Sequence, residues 1–212
     1  MTDPTTVLLV DDHAIVREGY RRLLEDEPSI RVVGEAGNAE QACERARALA
    51  PDVVVMDIAL PATSGIEATR RLLKDRPLLR ILIFSMHDDA IYASRALEAG
   101  ALGYLSKASA PEVLVQAIYA VSRGERYLSP DVAMNMAGSA AQPGRSEIEA
   151  LSPREFEVLR LLVQGETVRS ISEKLSLSEK TVANHQSAIR EKLGARNSAQ
   201  LARLVARAGW SR

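Results

Sequence analysis

Short apolar segments alternate with longer amphipathic segments over the first 123 residues. The apolar segments are rich in branched residues and too short for helices, which predicts buried strands. Five strands are predicted, at 6–10, 31–35, 52–56, 80–84 and 102–105. Helical periodicity predicts helices between and after them, near 13–26, 38–49, 64–75, 88–99 and 110–122. Strands that are apolar on both faces and separated by helices predict an α/β fold, a doubly wound five-stranded parallel sheet covered on both sides.

The pattern changes after residue 123. Residues 124–148 hold a short predicted helix at 130–137 and then a Gly-, Ser- and Pro-containing stretch at 138–144, which predicts a linker. From residue 151 onward every predicted element is helical. The expected organisation is a domain over 1–123, a linker over 124–148 and an all-α domain over 149–212.

Four helices are predicted in the second domain. The first begins after Ser152, whose position before Pro153 and Glu155 forms a capping box with a first-turn proline, and it ends at Gly165. The others are expected at 168–175, between Ser178 and Gly194, and at about 197–208. Trp210 is expected to pack against the last helix.

Composition narrows the class of protein. The net charge of −1 conceals an asymmetry, because residues 149–212 hold 11 Lys and Arg against 7 Asp and Glu, net +4, while residues 1–148 hold 16 against 21, net −5. A basic second domain suits a polyanionic partner, although an excess this small is weak evidence.

The single cysteine, Cys43, excludes an intrachain disulfide, and we predict that it only packs. No apolar run approaches the roughly 18 residues of a membrane span, and no secretory signal is present, so we expect a cytoplasmic protein.

Charged residues follow three of the predicted strands. Asp11 and Asp12 follow the first, Asp57 the third and Lys107 the fifth. In a doubly wound parallel sheet these carboxyl ends share one rim. Clustered carboxylates repel unless a cation lies among them, and Mg²⁺ prefers such oxygen ligands. With a lysine to contact phosphoryl oxygens, these groups predict phosphoryl transfer to a carboxylate.

Two alternatives remain at this point. Each of these residues taken alone could be a solvated or helix-capping residue. A flavin or nucleotide binder could share the fold, but its first loop should offer Gly, Ser and Thr to a phosphate. Here residues 11–14 are Asp-Asp-His-Ala, which would repel a phosphate in the absence of a metal.

Four motifs identify residues 5–123 as similar to response-regulator receiver domains, whose flavodoxin-like sheet has the strand order 2-1-3-4-5. The motifs are VLLVDDH at 7–13, DIALP at 57–61 with Gly65 beyond, IFS at 83–85, and AGALGYLSK at 99–107. The resemblance implies that Asp57 is the phosphoacceptor. It also implies that Asp12, Asp57 and the backbone carbonyl of Ala59 ligate Mg²⁺ directly, while Asp11 acts largely through water.

The resemblance further implies that Ser85 and Lys107 bind the phosphoryl oxygens. Tyr104 lies where receivers carry an aromatic switch residue, although simple packing is the alternative. His87, in the following loop, either touches the attacking water in dephosphorylation or has no role, and His13 is expected to serve the start of the first helix. Many receivers have a cis proline directly after the lysine, whereas this chain has Ala108, which leaves that peptide's geometry open.

Residues 149–212 resemble the LuxR-type helix-turn-helix domain of the NarL/FixJ family of response regulators. The motifs are LSPRE at 151–155, Val158-Leu159, Gly165, ISEKL at 171–175, SEKTV at 178–182, His185, Ile189 and KLG at 192–194. A short helix and a turn precede a longer helix whose Val182, Ile189 and Leu193 should face inward. The opposite face then presents small and polar side chains to a major groove, which places the helix-turn-helix at about 168–187.

The same resemblance assigns roles on that helix. Phosphate contacts are expected from Lys180, Thr181, Arg190 and Lys192, and base contacts from Ala183, Asn184 and Ser187. Asn184 suits adenine. The flanking Val182 and His185 belong to the same segment, with His185 expected to pack or to contact phosphate. Family members usually carry Lys at the position of Ala183, and ordinary solvation is the alternative for each polar residue.

Together these features predict a response regulator. A partner sensor histidine kinase would phosphorylate Asp57, and phosphorylation would free the recognition helix from the receiver for sequence-specific binding of promoter DNA as a homodimer, with RNA polymerase as a further partner. Such a protein is not an enzyme beyond its own phosphoryl transfer and dephosphorylation. The alternatives are an aspartyl-phosphate enzyme acting on a small substrate, and a constitutive DNA binder with a vestigial receiver.

Overall fold

The computed structural model describes residues 3–139 and 145–207. The chain divides into two compact units, residues 1–134 and 135–212. Three predicted features lie wholly or partly outside the described residues. They are Trp210, the end of the last predicted helix, and most of the glycine-containing stretch of the predicted linker. No helix in the described part of the chain is long and apolar enough to cross a membrane.

The first unit is a parallel sheet of six strands in the order β2-β1-β3-β4-β5-β6. The strands are β1 Thr5–Val10, β2 Ile30–Ala36, β3 Val53–Met56, β4 Arg80–Ser85, β5 Gly103–Ser106 and β6 Tyr127–Leu128. The helices are α1 Ala14–Glu25, α2 Ala39–Leu49, α3 Gly65–Asp75, α4 Ala90–Glu98 and α5 Pro111–Ser122. The predicted doubly wound parallel sheet and its order are confirmed for the first five strands.

The prediction of five strands is wrong by one. The sixth strand, β6, has only two residues and lies in the stretch predicted as linker. Backbone bonds define it: the Tyr127 amide donates to the Leu102 carbonyl (3.1 Å) and the Ser129 amide to the Tyr104 carbonyl (3.1 Å). Two residues carry no periodicity, so hydrophobic patterning has nothing to detect in such a strand.

The central strands are buried because they pack on both faces. All four residues of β3 are buried, as are the last four of β1. Val10 and Met56 are register partners, and the Asp57 amide donates to the Val10 carbonyl at 2.8 Å. The residues that directly follow β1 and β3 are therefore held at the same level of the sheet.

The remaining helices are α6 Pro130–Ser139, α7 Arg145–Glu149, α8 Pro153–Val163, α9 Val168–Leu175, α10 Glu179–Lys192 and α11 Ser198–Arg207. The four predicted helices of the second domain correspond to α8 to α11. Helix α7 was not predicted, since its five residues span little more than one turn. The predicted linker thus contains β6, α6 and all but the last residue of α7, and the predicted domain bounds stay a prediction.

Three of these helices have a serine or threonine as the N-cap residue. Ser152 and Glu155 form the predicted capping box, Thr167 accepts from the Ser170 amide, and Ser178 accepts from the Thr181 amide. Each satisfies an otherwise unpaired amide of the first turn. Val182 and Ile189 of α10 are buried, as is its C-cap residue Leu193, in agreement with the prediction.

Candidate functional site

The carboxyl ends of three strands bring Asp11, Asp57 and Lys107 together. Lys107 follows β5, where its amide donates to the Ser85 carbonyl at 2.7 Å. Its ammonium Nζ lies 2.5 Å from Asp11 Oδ2 and 2.7 Å from Asp57 Oδ2. The side chains of Lys107 and Asp57 are only 6% and 5% exposed. One buried cation is thus shared by two buried carboxylates.

Burial and ion pairing compete in setting the pKa values of Asp57 and Lys107. Burial raises the pKa of Asp57, and the attraction of Lys107 offsets only part of that rise. Burial acts in the opposite direction on Lys107, but the Asp57 and Asp11 carboxylates outweigh it, so the pKa of Lys107 is raised and its ammonium stays charged. The net negative charge that remains suits a further cation.

Asp12 contacts its neighbour His13. Its Oδ1 lies 2.6 Å from Nδ1 of His13, and its side chain is 32% exposed. Ligand atoms of Asp11, Asp12 and His13 lie within 4.8 Å of one another, the group that the described residues offer to a metal ion. Among the predicted metal ligands, Asp11 therefore belongs both to the ion pair with Lys107 and to the cluster with Asp12 and His13. Asp57 lies beside Lys107. His13 occupies the N-cap position of α1 but makes no side-chain cap bond.

Helix α3 begins against the backbone of Asp57. The Ala59 amide donates to Asp57 Oδ1 at 3.3 Å, and the Gly65 amide to the Ile58 carbonyl at 3.0 Å. A Cβ atom at Gly65 would lie 1.8 Å from the Asp57 carbonyl oxygen. The glycine noticed in the sequence motif thus permits a close approach that no side chain allows.

Two of the three predicted phosphoryl-binding and switch residues, Ser85 and Tyr104, bond to the backbone of His87. Ser85 ends β4, is fully buried, and its Oγ accepts from the His87 amide at 3.2 Å. The Tyr104 hydroxyl donates to the His87 carbonyl at 2.6 Å, and burial raises the pKa of Tyr104 well above its usual value. Sequence reasoning considered only the His87 ring, because backbone hydrogen bonds leave no mark on residue type.

Two smaller questions from the sequence are answered by the structure. No peptide bond among the described residues is cis, so the bond between Lys107 and Ala108 is trans. Cys43 is half-buried on α2, and burial raises the pKa of its thiol. A raised pKa lowers the reactive thiolate fraction, which agrees with a packing role.

Helix α10 presents the predicted DNA-facing side chains. The exposed ones are Lys180, Ala183, Asn184, Ser187 and Lys192, and the half-buried ones are Thr181, His185 and Arg190. Val182, counted in the same segment, is fully buried and packs in the domain core. Its contribution is to the position of the helix, since a buried side chain offers nothing to a groove.

Lys192 already has a partner within its own unit. Its Nζ lies 2.7 Å from Glu155 Oε2, which also accepts from the Ser152 amide at 2.7 Å. Burial raises the pKa of Glu155, but the bonds from Lys192 and Ser152 outweigh it, and the net effect is a lowered pKa. The sequence identified Glu155 as a cap but not as the residue that joins α8 to the end of α10.

Comparisons with known proteins agree with both halves of this description. Residues 7–119 match the family described as response regulator receiver domain, and residues 149–205 match that described as bacterial regulatory proteins, luxR family.

Curated relatives match over the whole length. Response regulator UvrY of Escherichia coli O6:H1 is 41% identical over 205 residues, which cover 96% of this chain and 94% of UvrY. Response regulator GacA of Pseudomonas aeruginosa is 40% identical over 205 residues, 96% of each chain. The chain belongs to the NarL/FixJ family of response regulators.

A solved structure supports the fold of this response regulator. RcsB from Salmonella enterica serovar Typhimurium, bound to promoter rprA in the presence of phosphomimetic BeF3⁻, is 28% identical, with a TM-score of 0.71. The match covers 96% of this chain and 99% of RcsB. The response regulator therefore combines a receiver domain with a LuxR-type DNA-binding domain, and it is a DNA-binding regulator of transcription.

Proposed function

We propose that a partner sensor histidine kinase phosphorylates Asp57, and that this modification controls the binding of promoter DNA by α10. The observation that carries the proposal is the Asp57 carboxylate, which lies in a buried pocket 2.7 Å from the Lys107 ammonium. A carboxylate beside a fixed cation is suited to accept a phosphoryl group, because that transfer depends on positioning and charge neutralisation.

In the proposed reaction a carboxylate oxygen of Asp57 attacks the phosphorus of a phosphohistidine. An O–P bond forms, the P–N bond breaks, and the histidine nitrogen leaves with the electron pair. Lys107 neutralises the charge on the phosphoryl oxygens, and the Ser85 hydroxyl binds one of them. The added charge, roughly −1.5 to −2 at neutral pH, changes the balance in a pocket that already holds two carboxylates.

The donor set of the pocket fits Mg²⁺, which prefers carboxylate and carbonyl oxygen. Asp11, Asp12, Asp57 and the Ala59 carbonyl would hold the ion. When bound, it neutralises charge on the pocket and on the transferred group. Asp12 would hold the ion through the carboxylate that contacts His13 in this structure.

For DNA, we infer that α10 enters a major groove of paired half-sites as part of a homodimer. Lys180, Thr181 and Arg190 hold phosphates, and Ala183, Asn184 and Ser187 face the base edges. Structures of RcsB with DNA, one of which contains two dimers bound to two parallel DNAs, support this inference. Lys192 contributes less than the family pattern implies, since Glu155 occupies its ammonium.

The test combines phosphorylation with DNA binding in the full-length chain. A purified cognate kinase with labelled ATP and Mg²⁺ should label the wild type and the control variant Asp26→Asn to one phosphoryl group per chain. Asp57→Asn should remain unlabelled. Phosphorylation should tighten promoter binding by the wild type and leave binding by Asp57→Asn unchanged.

Three results would contradict the proposal. Labelling of Asp57→Asn would place the phosphoryl group elsewhere. Promoter binding by Asp57→Asn as tight as that of phosphorylated wild type would show that phosphorylation does not control DNA binding. That result would favour a constitutive DNA binder. Steady turnover of a small phosphate ester, in place of stoichiometric labelling, would indicate an aspartyl-phosphate enzyme.

A further inference from the structure

The loop between β4 and α4 forms hydrogen bonds to Ser85 and Tyr104 through the backbone of His87. The His87 amide donates to Ser85 Oγ at 3.2 Å, and the His87 carbonyl accepts from the Tyr104 hydroxyl at 2.6 Å. Every residue type except proline has both of these backbone groups. What matters is therefore how this particular peptide is held in place.

The His87 side chain offers an answer, because its ring stacks on Tyr92. The two ring centroids are 4.5 Å apart and the planes are inclined by 12°. Tyr92 lies in the first turn of α4, where its amide donates to the Asp89 carbonyl at 3.1 Å. The stack thus ties the loop that carries His87 to a helix.

We propose that Tyr92 is a positioning residue for the phosphoryl switch, acting on Ser85 and Tyr104 through the stacked His87. Tyr92 contacts neither the phosphoryl group nor Asp57 in this scheme. Its ring fixes His87, and His87 presents its amide to Ser85 and its carbonyl to Tyr104. The inference rests on the proposed function of Asp57.

The direction of the effect follows from the position of Tyr104. The Tyr104 side chain is 0% exposed, with its hydroxyl on the His87 carbonyl. A phosphoryl group on Asp57 draws the Ser85 hydroxyl toward itself and leaves room for the Tyr104 ring in this buried position. The stack holds the carbonyl that accepts the Tyr104 hydroxyl, so it favours the phosphoryl-bound arrangement.

Binding of beryllofluoride with Mg²⁺ to the full-length chain tests this proposal, since beryllofluoride mimics a phosphoryl group on a carboxylate. Aromatic pairs contribute enough that Tyr92→Leu should weaken beryllofluoride binding by about 2- to 10-fold. Tyr92→Phe, which retains a ring, should bind like the wild type. Tyr119→Leu, the same kind of change on α5, is the matched control and should also bind like the wild type.

A double-mutant cycle separates positioning from packing. Tyr104→Phe removes the hydroxyl that reaches the His87 carbonyl, so the effects of Tyr92→Leu and Tyr104→Phe should be non-additive. Strictly additive effects, or equal losses for Tyr92→Leu and Tyr119→Leu, would overturn the proposal. If Tyr92→Leu fails to fold, His87→Ala takes its place in the cycle, with the same expectation.

Failure of the inference is distinguishable from failure of the proposed function. If the wild type binds beryllofluoride and both Tyr92→Leu and His87→Ala bind it equally well, only the role of Tyr92 is refuted. If the wild type does not bind beryllofluoride in the presence of Mg²⁺, the proposed function of Asp57 is refuted, and the positioning role falls with it.

Discussion

Two buried carboxylates share one ammonium in the receiver pocket, and this arrangement predicts a pH-dependent role for Lys107 in stability. Removal of one partner from a buried ion pair leaves an uncompensated charge. Lys107→Met should therefore lower the free energy of unfolding of the receiver by about 3 kcal/mol near neutral pH. Urea denaturation monitored by circular dichroism measures the loss.

The sign of the pH dependence follows from Asp57, whose folded-state pKa is already raised and rises further without Lys107. A carboxyl with a raised folded pKa favours folding below its unfolded value of about 3.9 and opposes folding above its folded pKa. The deficit of Lys107→Met should thus shrink as pH falls through that window. A deficit that stays constant with pH would show that the lost side chain acts through packing and not through charge.

Gly65 predicts a second residue-scale effect, with Gly19 as its matched control. Gly65→Ala places a Cβ 1.8 Å from the Asp57 carbonyl oxygen, so the start of α3 or the Asp57 backbone must move. We expect a loss of about 1–3 kcal/mol and slower phosphorylation of Asp57. Gly19→Ala, where a Cβ meets nothing within 4 Å, should instead stabilise α1 by about 0.5–1 kcal/mol. Equal effects of the two substitutions in thermal unfolding would contradict this account.

Single residues differ in how well the sequence predicted them. Asp57 and Lys107 were predicted to meet because the carboxyl ends of parallel strands share one rim, and they do meet. The contact of Asp12 with His13 and the ion pair of Lys192 with Glu155 were not predicted. Both depend on side-chain rotamers and long-range pairing, which residue order does not specify.

At the scale of elements, Glu155 joins two helices through one carboxylate. It closes the capping box of α8 and binds Lys192 at the end of α10. Glu155→Gln keeps an acceptor for the Ser152 amide and removes only the charge. Because the pair is partly exposed, we expect a loss of about 0.5 kcal/mol at neutral pH, measured by thermal unfolding.

The pH dependence of that loss has the opposite sign to that of Asp57. The folded pKa of Glu155 is lowered, so its stabilisation is present above the unfolded pKa of about 4.3 and is lost as pH falls through the folded pKa. Glu155→Gln and the wild type should converge in acid. Ser152→Ala, which removes a neutral cap, should cost about 1 kcal/mol over the same range. A Glu155→Gln deficit that persists in acid would contradict the ion-pair explanation.

Most elements could be predicted from hydrophobic periodicity, and the exceptions share one cause. Strands β1 to β5 and helices α8 to α11 are long enough for the pattern to emerge. Strand β6 and helix α7 have two and five residues, and each is shorter than the window in which a period of 2 or 3.6 can be recognised. The sixth strand is specified by backbone bonds to β5, a tertiary effect.

For the whole molecule, the asymmetry of charge becomes a prediction about DNA binding. Residues 149–212 carry a net charge of +4 and residues 1–148 a net charge of −5, so attraction to DNA rests on the second domain. Each phosphate contact releases counterions, and the logarithm of the binding constant falls with the logarithm of salt concentration. The slope of this salt dependence therefore measures how many cationic side chains contact DNA phosphates.

Lys180 and Lys192 should differ in this measurement, although both are exposed lysines on α10. Lys180→Gln should reduce the magnitude of the salt slope by about 0.9 for each protomer bound. Lys192→Gln should change the slope much less, since Glu155 already lies 2.7 Å from its ammonium. Fluorescence anisotropy with a promoter duplex at several salt concentrations measures both, with Lys74→Gln on α3 as the control outside the DNA-binding domain. Equal reductions for Lys180→Gln and Lys192→Gln would mean that Lys192 leaves Glu155 for a phosphate when DNA binds, and α8 would then lose an ion pair in the complex.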